Sequence, residues 1–312
     1  MTDSERSAQL LHANKSGEAS SLAAAQAVAR EHGVACEEAV RIAGGSNVLV
    51  HLKPAPVVAR VMTGTAVLHE DVEQWLTREV AVGAFLAGRT DSVVAPTDIL
   101  APGPHNHDGL WMTLWKFVAH DGQAAPPQPR ELGRSLRRLH AALAEFPGDL
   151  PPLSGVRDWL ERLLAALRPS LALTRQDIDW LRFQLEALTP AVFESSLPAQ
   201  PLHGDASMSN LLRTDNGLVW NDFEDVCAGP VAWDLAGLVA SATARGQSAK
   251  FVDELLAAYG EPGVEDLEPF LDAHALYAVV WHAFEARRRP PAAERAAAGL
   301  ALWRERRAGG QR

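Results

Sequence analysis

Apolar residues recur along this chain with two periods, and the change between them divides it. Up to about residue 117 the pattern is mostly short alternating or wholly apolar runs broken by Gly and Pro, which reads as strands. Residues 39–42, 48–52 and 57–62 are three such runs, joined by Ala43-Gly44-Gly45-Ser46-Asn47 and by Lys53-Pro54-Ala55-Pro56, so they predict an antiparallel meander. Two helices interrupt this region. The Ala-rich stretch 20–31 has Ser20 or Ser21 as its cap and Gly33 as its stop. The stretch 72–87 carries Trp75, Val82, Phe85 and Leu86 on one face and ends at Gly88. Residues 93–96 and 99–100 read as short extended pieces, 102–109 as a turn, and 110–117 as a last strand. Then comes 119–130 with Asp121-Gly122 and three prolines, the composition of a linker. From 131 onward the apolar spacing is helical. It predicts helices over 131–145, 156–167, 175–188, 235–244, 251–259, 267–284 and 292–307, with Pro169 and Pro190 as breakers. The expectation is an α+β chain: a sheet-bearing unit over 1–117, a linker over 118–130 and a helical unit over 131–312, with residues 1 to about 17 frayed.

One stretch in the helical half departs from that pattern and carries the chemistry. Residues 202–225 read Leu-His-Gly-Asp-Ala-Ser-Met-Ser-Asn-Leu-Leu-Arg-Thr-Asp-Asn-Gly-Leu-Val-Trp-Asn-Asp-Phe-Glu-Asp. Within it, 211–214 and 218–221 suit two short strands, and Asp215-Asn216-Gly217 suits a three-residue turn, since Asn and Gly tolerate positive φ. That register pairs 214 with 218 and, continued outward, sets Asn210 opposite Asp222 at roughly 5 Å. A carboxylate and an amide oxygen at that separation can share a hard cation such as Mg²⁺. Asp205 precedes Asn210 by five residues, on the loop that enters the hairpin. One carboxylate to receive a hydroxyl proton, with an amide and a second carboxylate for metal, is the set that phosphoryl transfer uses.

His203-Gly204-Asp205 with Asn210, then Asp222-Phe223-Glu224, then Gly229-Pro230-Val231-Ala232-Trp233-Asp234-Leu235-Ala236, resembles the aminoglycoside phosphotransferase family. That family includes antibiotic kinases and choline-kinase-like enzymes on a two-lobe, protein-kinase-like fold. The resemblance implies transfer of the γ-phosphoryl group of ATP or GTP, with Mg²⁺, to a hydroxyl of a small molecule. Asp205 would orient and deprotonate that hydroxyl, and Asn210 and Asp222 would hold the metal. Gly44, Gly45, Ser46 and Asn47 would cover the nucleotide phosphates with backbone N–H groups. Val58-Ala59-Arg60 puts arginine where kinases usually carry the phosphate-binding lysine; some family members have arginine there, and Lys53, beside a proline turn, is the other basic candidate. Glu79 would hold Arg60, with Glu73 and Glu70 as alternatives because helix register is open. Residues 115–118 fall at the hinge, so backbone groups there, with Lys116 and Val118 among them, would bind the adenine, and Phe117 or Val118 would lie beside the ring. Asp234 is either a third metal ligand or, preferably, a brace for the catalytic loop, and His203 a second brace. Glu224 stands where protein kinases have glycine, and its acid either touches Mg²⁺ or faces the substrate.

Composition narrows the partners. At 312 residues, with 47% hydrophobic and 22% charged residues, the chain suits two lobes of an ordinary globular protein. A net charge of −10 argues against nucleic acid and favours cationic ligands. The two cysteines, Cys36 and Cys227, make neither a disulfide framework nor a metal spacing, which fits a reducing cytoplasm. His105 and His107 lack further ligands nearby and read as a polar hairpin tip. No apolar run approaches membrane-spanning length. The acceptor stays open between an aminoglycoside-type antibiotic and a metabolite such as an amino alcohol or sugar. A different class of function, a pseudokinase that binds nucleotide without transfer, is kept open by Arg60 and Glu224. Oligomeric state is not legible.

Overall fold

The computed structural model describes residues 17–44, 47–64, 69, 71–120, 122, 125–170, 172–260 and 265–309. It divides into two compact units: Met1–Ala125 with Leu211–Glu224, and Pro126–Asn210 with Asp225–Arg312.

In the first unit, helix α1 (Gly17–Glu31) is followed by strands β1 (Cys36–Gly44), β2 (Asn47–Pro54) and β3 (Val57–Met62), helix α2 (Val72–Ala87), and strands β4 (His105–His107) and β5 (Leu110–Lys116). The five strands form one sheet in the order β1-β2-β3-β5-β4, with every neighbouring pair antiparallel. Strand periodicity decides what each face does. Val48, Val50 and Leu52, then Val57, Ala59 and Val61, then Met112 and Leu114, pack with Ala24, Ala25, Val28 and Ala29 of α1 into one core. The intervening residues Asn47, Arg60, Met62 and Thr113 therefore point to the opposite face, where Met62 packs on Trp75 and Leu76 of α2. An arginine in a strand whose six residues are all buried is thus aimed at α2 and away from solvent.

One expectation changes here. Neither Ser20 nor Ser21 caps α1: the helix begins at Gly17, and buried Ser21 donates its Oγ hydrogen to the Gly17 carbonyl one turn back. The 93–96 stretch, read as a short extended piece, is tied to the second hairpin of this unit, with Val94 N donating to Trp220 O and Trp220 N to Ser92 O.

That hairpin, β7 (Leu211–Thr214) and β8 (Gly217–Trp220), has a register one residue tighter than predicted. Thr214 pairs with Gly217, Arg213 with Leu218, Leu212 with Val219 and Leu211 with Trp220. The turn is two residues, Asp215-Asn216; Gly217, at φ 113°, opens the return strand instead of completing the turn. Thr214 Oγ1 closes it by accepting from Asn216 N and donating to Gly217 O. A one-residue slip exchanges faces along a strand, so the ladder argument that set Asn210 opposite Asp222 no longer holds.

The second unit is helical: α3 (Pro129–Leu143), α4 (Ser154–Ala166), α5 (Arg175–Val192), α6 (Ala232–Ala244), α7 (Ala249–Tyr259), α8 (Glu268–Glu285) and α9 (Pro291–Gly309). Pro190 does not break α5 at 188 as predicted, because it sits in the last turn, where only one ladder bond is lost. Thr174 and Asp177 form a reciprocal capping box at the start of that helix. Helices α3 and α7 approach so closely that a Cβ on Gly133 would lie 2.1 Å from Leu255 O. The strands β6 (Gln200–Leu202) and β9 (Cys227–Gly229) pair antiparallel and carry the two ends of the loop that follows.

Candidate active site

The first unit places three carboxylates round one guanidinium. Arg60, on β3, is 4% exposed, and Glu79, on the buried stripe of α2, is 1% exposed. Their Nη2 and Oε2 atoms lie 2.6 Å apart. Thr113, opposite Arg60 across the β3–β5 ladder, donates to Glu79 Oε2 at 3.2 Å. The α2 register left open by the sequence is thereby fixed: Glu79 faces Arg60, Glu73 is exposed, and Glu70 lies outside the described residues. Arg60 Nη1 is 2.7 Å from Glu224 Oε2 and 3.5 Å from Asp222 Oδ1. Burial works against the Arg60 charge, but Glu224, Glu79 and Asp222 outweigh it and hold the guanidinium well above its ordinary range. Burial raises the Glu79 carboxyl, with Arg60 pulling the other way.

The cluster is not saturated. Arg60 Nε and Nη2, Glu79 Oε1 and Asp222 Oδ1 are buried without a well-aligned hydrogen bond. Asp222 also has φ 67°, a conformation uncommon outside glycine and concentrated at functional sites. A set of one buried cation with two buried carboxylates, the partly exposed Asp222 and unmet oxygens suits a further cation, and carboxylate oxygens suit a hard one such as Mg²⁺. Among the described residues, no group of three or more His, Cys, Asp or Glu is arranged as a metal cage. Mg²⁺ is ordinarily held by one or two carboxylates together with substrate phosphates.

The other residues expected around the nucleotide fall in different places. Asn47 is on the Arg60 face of the sheet, and its Nδ2 lies 3.4 and 3.5 Å from the Glu224 carboxylate oxygens. Gly44 ends β1, opposite Val48; Gly45 and Ser46 lie outside the described residues. Lys53 is exposed. Lys116 stays apart from the cluster and pairs with Asp98 at 2.7 Å. Val118 packs beside Val94, Trp115 and Val219. The amides of Lys116 and Phe117 donate to Ala95 and Pro56.

The second unit holds Asp205 and Asn210 in one tight loop. The 3₁₀ turn Met208–Asn210 brings Asn210 back, so that its Nδ2 donates to Asp205 O at 2.9 Å and to Asp205 Oδ2 at 2.8 Å. The amide group is thereby oriented with its oxygen left for a cation. Beneath the loop, Asp234 is fully buried in the first turn of α6. It accepts from His203 N at 2.7 Å and Gly204 N at 3.0 Å, and lies 2.9 Å from His140 Nε2. Tyr259 Oη continues the chain, 2.8 Å from His140 Nδ1. Burial opposes the Asp234 charge, but these bonds outweigh it and lower its carboxyl. Burial and the Asp234 charge push Tyr259 up to about 12. Gly204 is required as glycine: φ is 86°, and a Cβ would fall 1.8 Å from Asp225 O. Trp233 Nε1 holds the carbonyl of that same residue at 2.7 Å.

Sequence reasoning did not foresee three contacts. Glu224, expected at Mg²⁺ or the substrate, pairs with Arg60; Trp75 donates from Nε1 to the Glu224 carbonyl at 2.6 Å; and His140 links Asp234 to Tyr259. Trp75 stands one helical turn before Glu79, a spacing that could have paired them.

The model of the phosphotransferase enzyme family matches residues 38–274. No curated protein matches the chain in sequence. Among solved structures, amicoumacin kinase hAmiN in complex with AMP-PNP, Ca²⁺ and Ami is similar with a TM-score of 0.69 at 12% identity, over 90% of this chain and 93% of that one. The GDP and kanamycin complex of APH(2")-IIia gives 0.64 at 16%, over 88% and 95%. A choline/ethanolamine kinase family protein from Mesorhizobium loti gives 0.59 at 18%, over 86% and 88%. At these identities the likeness establishes the fold, which is protein-kinase-like, with a small antiparallel-sheet N-lobe and a mostly helical C-lobe.

Proposed function

Because the chain belongs to the phosphotransferase enzyme family and is an enzyme that transfers phosphate to a hydroxyl acceptor, we propose that it moves the γ-phosphoryl group of ATP or GTP to a small, amine-bearing alcohol. The observation that carries this reading is the cluster of Arg60, Glu79 and Asp222, with polar atoms left unmet, and separately the Asp205 carboxylate held by Asn210.

Asp205 is the group that accepts the acceptor's hydroxyl proton. Its Oδ2 is oriented by Asn210, and its backbone by the Asp234 and Trp233 bonds to Gly204. Arg60 presents N–H donors to the phosphates while Glu79 fixes its fork. Asn210 and Asp222 would hold Mg²⁺, which when bound neutralises the phosphate oxygens. Gly44, Gly45, Ser46 and Asn47 would supply backbone donors to the phosphates, and the segment of Lys116 and Val118 would take the base.

The solved relatives name kanamycin, amicoumacin and choline or ethanolamine, all amine-bearing acceptors or their kinases. The net charge of −10 favours the same class. An aminoglycoside-type antibiotic and an amino alcohol are the acceptors to assay first. Free Cys36 and Cys227 support a cytoplasmic location. No helix among the described residues is long and apolar enough to cross a membrane.

The test is nucleotide-dependent phosphorylation of a panel of aminoglycosides, amino alcohols and sugars by the wild type and by Asp205→Ala. The variant should lose on the order of 10²-fold or more in rate on any acceptor turned over. An undiminished rate would remove Asp205 from the chemistry.

A further inference from the structure

Arg60 and Glu224 each depart from the kinase pattern, and the structure puts the two departures in contact. A lysine ammonium is a point charge, and one carboxylate suffices to steer it. A guanidinium is a planar fork with two terminal nitrogens; gripping one tine leaves the other free to swing. Here both tines are held: Glu79 takes Nη2 and Glu224 takes Nη1. Glu224 is itself fixed at both ends. Its carbonyl accepts from Trp75 Nε1 at 2.6 Å, and its buried side chain faces Asn47 Nδ2. Trp75 and Glu79 lie one turn apart on α2, so a single helix anchors both arms of the clamp. The fork has more N–H donors than two carboxylates consume, and Nε remains buried without a hydrogen bond. Clamping therefore orients the arginine without exhausting it.

We propose that Glu224 is a positioning residue matched to Arg60: it is the second anchor that allows an arginine to do, for a nucleotide phosphate, what lysine does with one anchor. This rests on the nucleotide reading above and adds a specific pairing to it. In an Arg60→Lys protein the shorter, single-headed cation leaves Glu224 as an uncompensated carboxylate beside the phosphate position. Removing that carboxylate as well should restore the simpler lysine–Glu79 arrangement.

The experiment is a double-mutant cycle on the full chain: wild type, Arg60→Lys, Glu224→Gly and Arg60→Lys/Glu224→Gly. Glu224→Gln is a fifth variant that keeps side-chain volume should glycine disturb the fold. MgATP and MgGTP affinities are measured by titration calorimetry, and thermal unfolding is followed without nucleotide. Each single variant should weaken nucleotide binding by about tenfold, and the double variant should recover to within about threefold of wild type, a coupling expected for groups in direct contact. If the wild type binds nucleotide and the two losses simply multiply, the pairing is wrong while the nucleotide reading stands. If the wild type binds neither nucleotide, the nucleotide reading fails and the positioning role falls with it, whatever coupling the unfolding data show.

Discussion

The Arg60 and Asp234 clusters are both buried and both charged, yet their hydrogen bonding differs. Asp234 has every neighbour it needs: two backbone N–H groups and an imidazole that is itself bonded to Tyr259. The Arg60 group has three carboxylates for one cation and four buried polar atoms without well-aligned partners. Satisfied buried networks rigidify, whereas unsatisfied ones cost stability unless something else completes them. The Arg60 cluster thus leaves polar atoms over for a further group, and the Asp234 network ties down the backbone of His203 and Gly204. Phosphoryl transfer asks for both, since its catalysis is mostly positioning and charge neutralisation.

The sharpest way to break this comparison is to unsaturate the saturated cluster. Asp234→Ala strands the N–H groups of His203 and Gly204 in the interior and should cost about 3 kcal/mol or more in urea unfolding. A loss below about 1 kcal/mol would mean that Asp234 braces nothing. A smaller effect follows from the end of the same chain. Tyr259→Phe deletes only the hydroxyl beside His140 and should cost about 1 kcal/mol, with activity reduced no more than stability requires. A further effect concerns pH. His274 Nε2 lies 2.9 Å from the Trp233 carbonyl, and burial pushes the imidazole down to about 4 from its usual 6.5. Between those values the unfolded chain binds a proton that the folded chain does not, so stability rises with pH from about 4 to 6.5 and levels above. His274→Gln should flatten that part of the stability–pH curve; an unchanged slope would place the titration elsewhere.

Much of this was legible in the sequence, for physical reasons that differ from element to element. The meander and α2 were readable because alternation and helical spacing respond to a buried face, and β3 and α2 have faces buried throughout. Asp71 caps α2 by accepting from Gln74 N, a local bond that was not singled out in the sequence. The family to which Asp205, Asn210 and Asp222 point was readable from their spacing. Their ladder geometry was not, because Asp215-Asn216-Gly217 fits a two-residue or a three-residue turn and only packing chooses. The contact of Arg60 with Glu224 was invisible, since 164 residues separate them and no periodicity spans that distance. The same holds for His140, which is an ordinary buried position of α3 until α6 delivers Asp234 to it.

Thermal unfolding with and without MgATP or MgGTP decides whether a metal-bound nucleotide completes the unsaturated cluster. Wild type should be stabilised by about 2.7 kcal/mol when ligand reaches ~100 times its Kd. Asp222→Asn, which keeps shape and tolerates the same left-handed backbone but lacks the charge, should lose most of that shift. No stabilisation of the wild type by either nucleotide at millimolar concentration, or an undiminished shift in Asp222→Asn, would contradict the account.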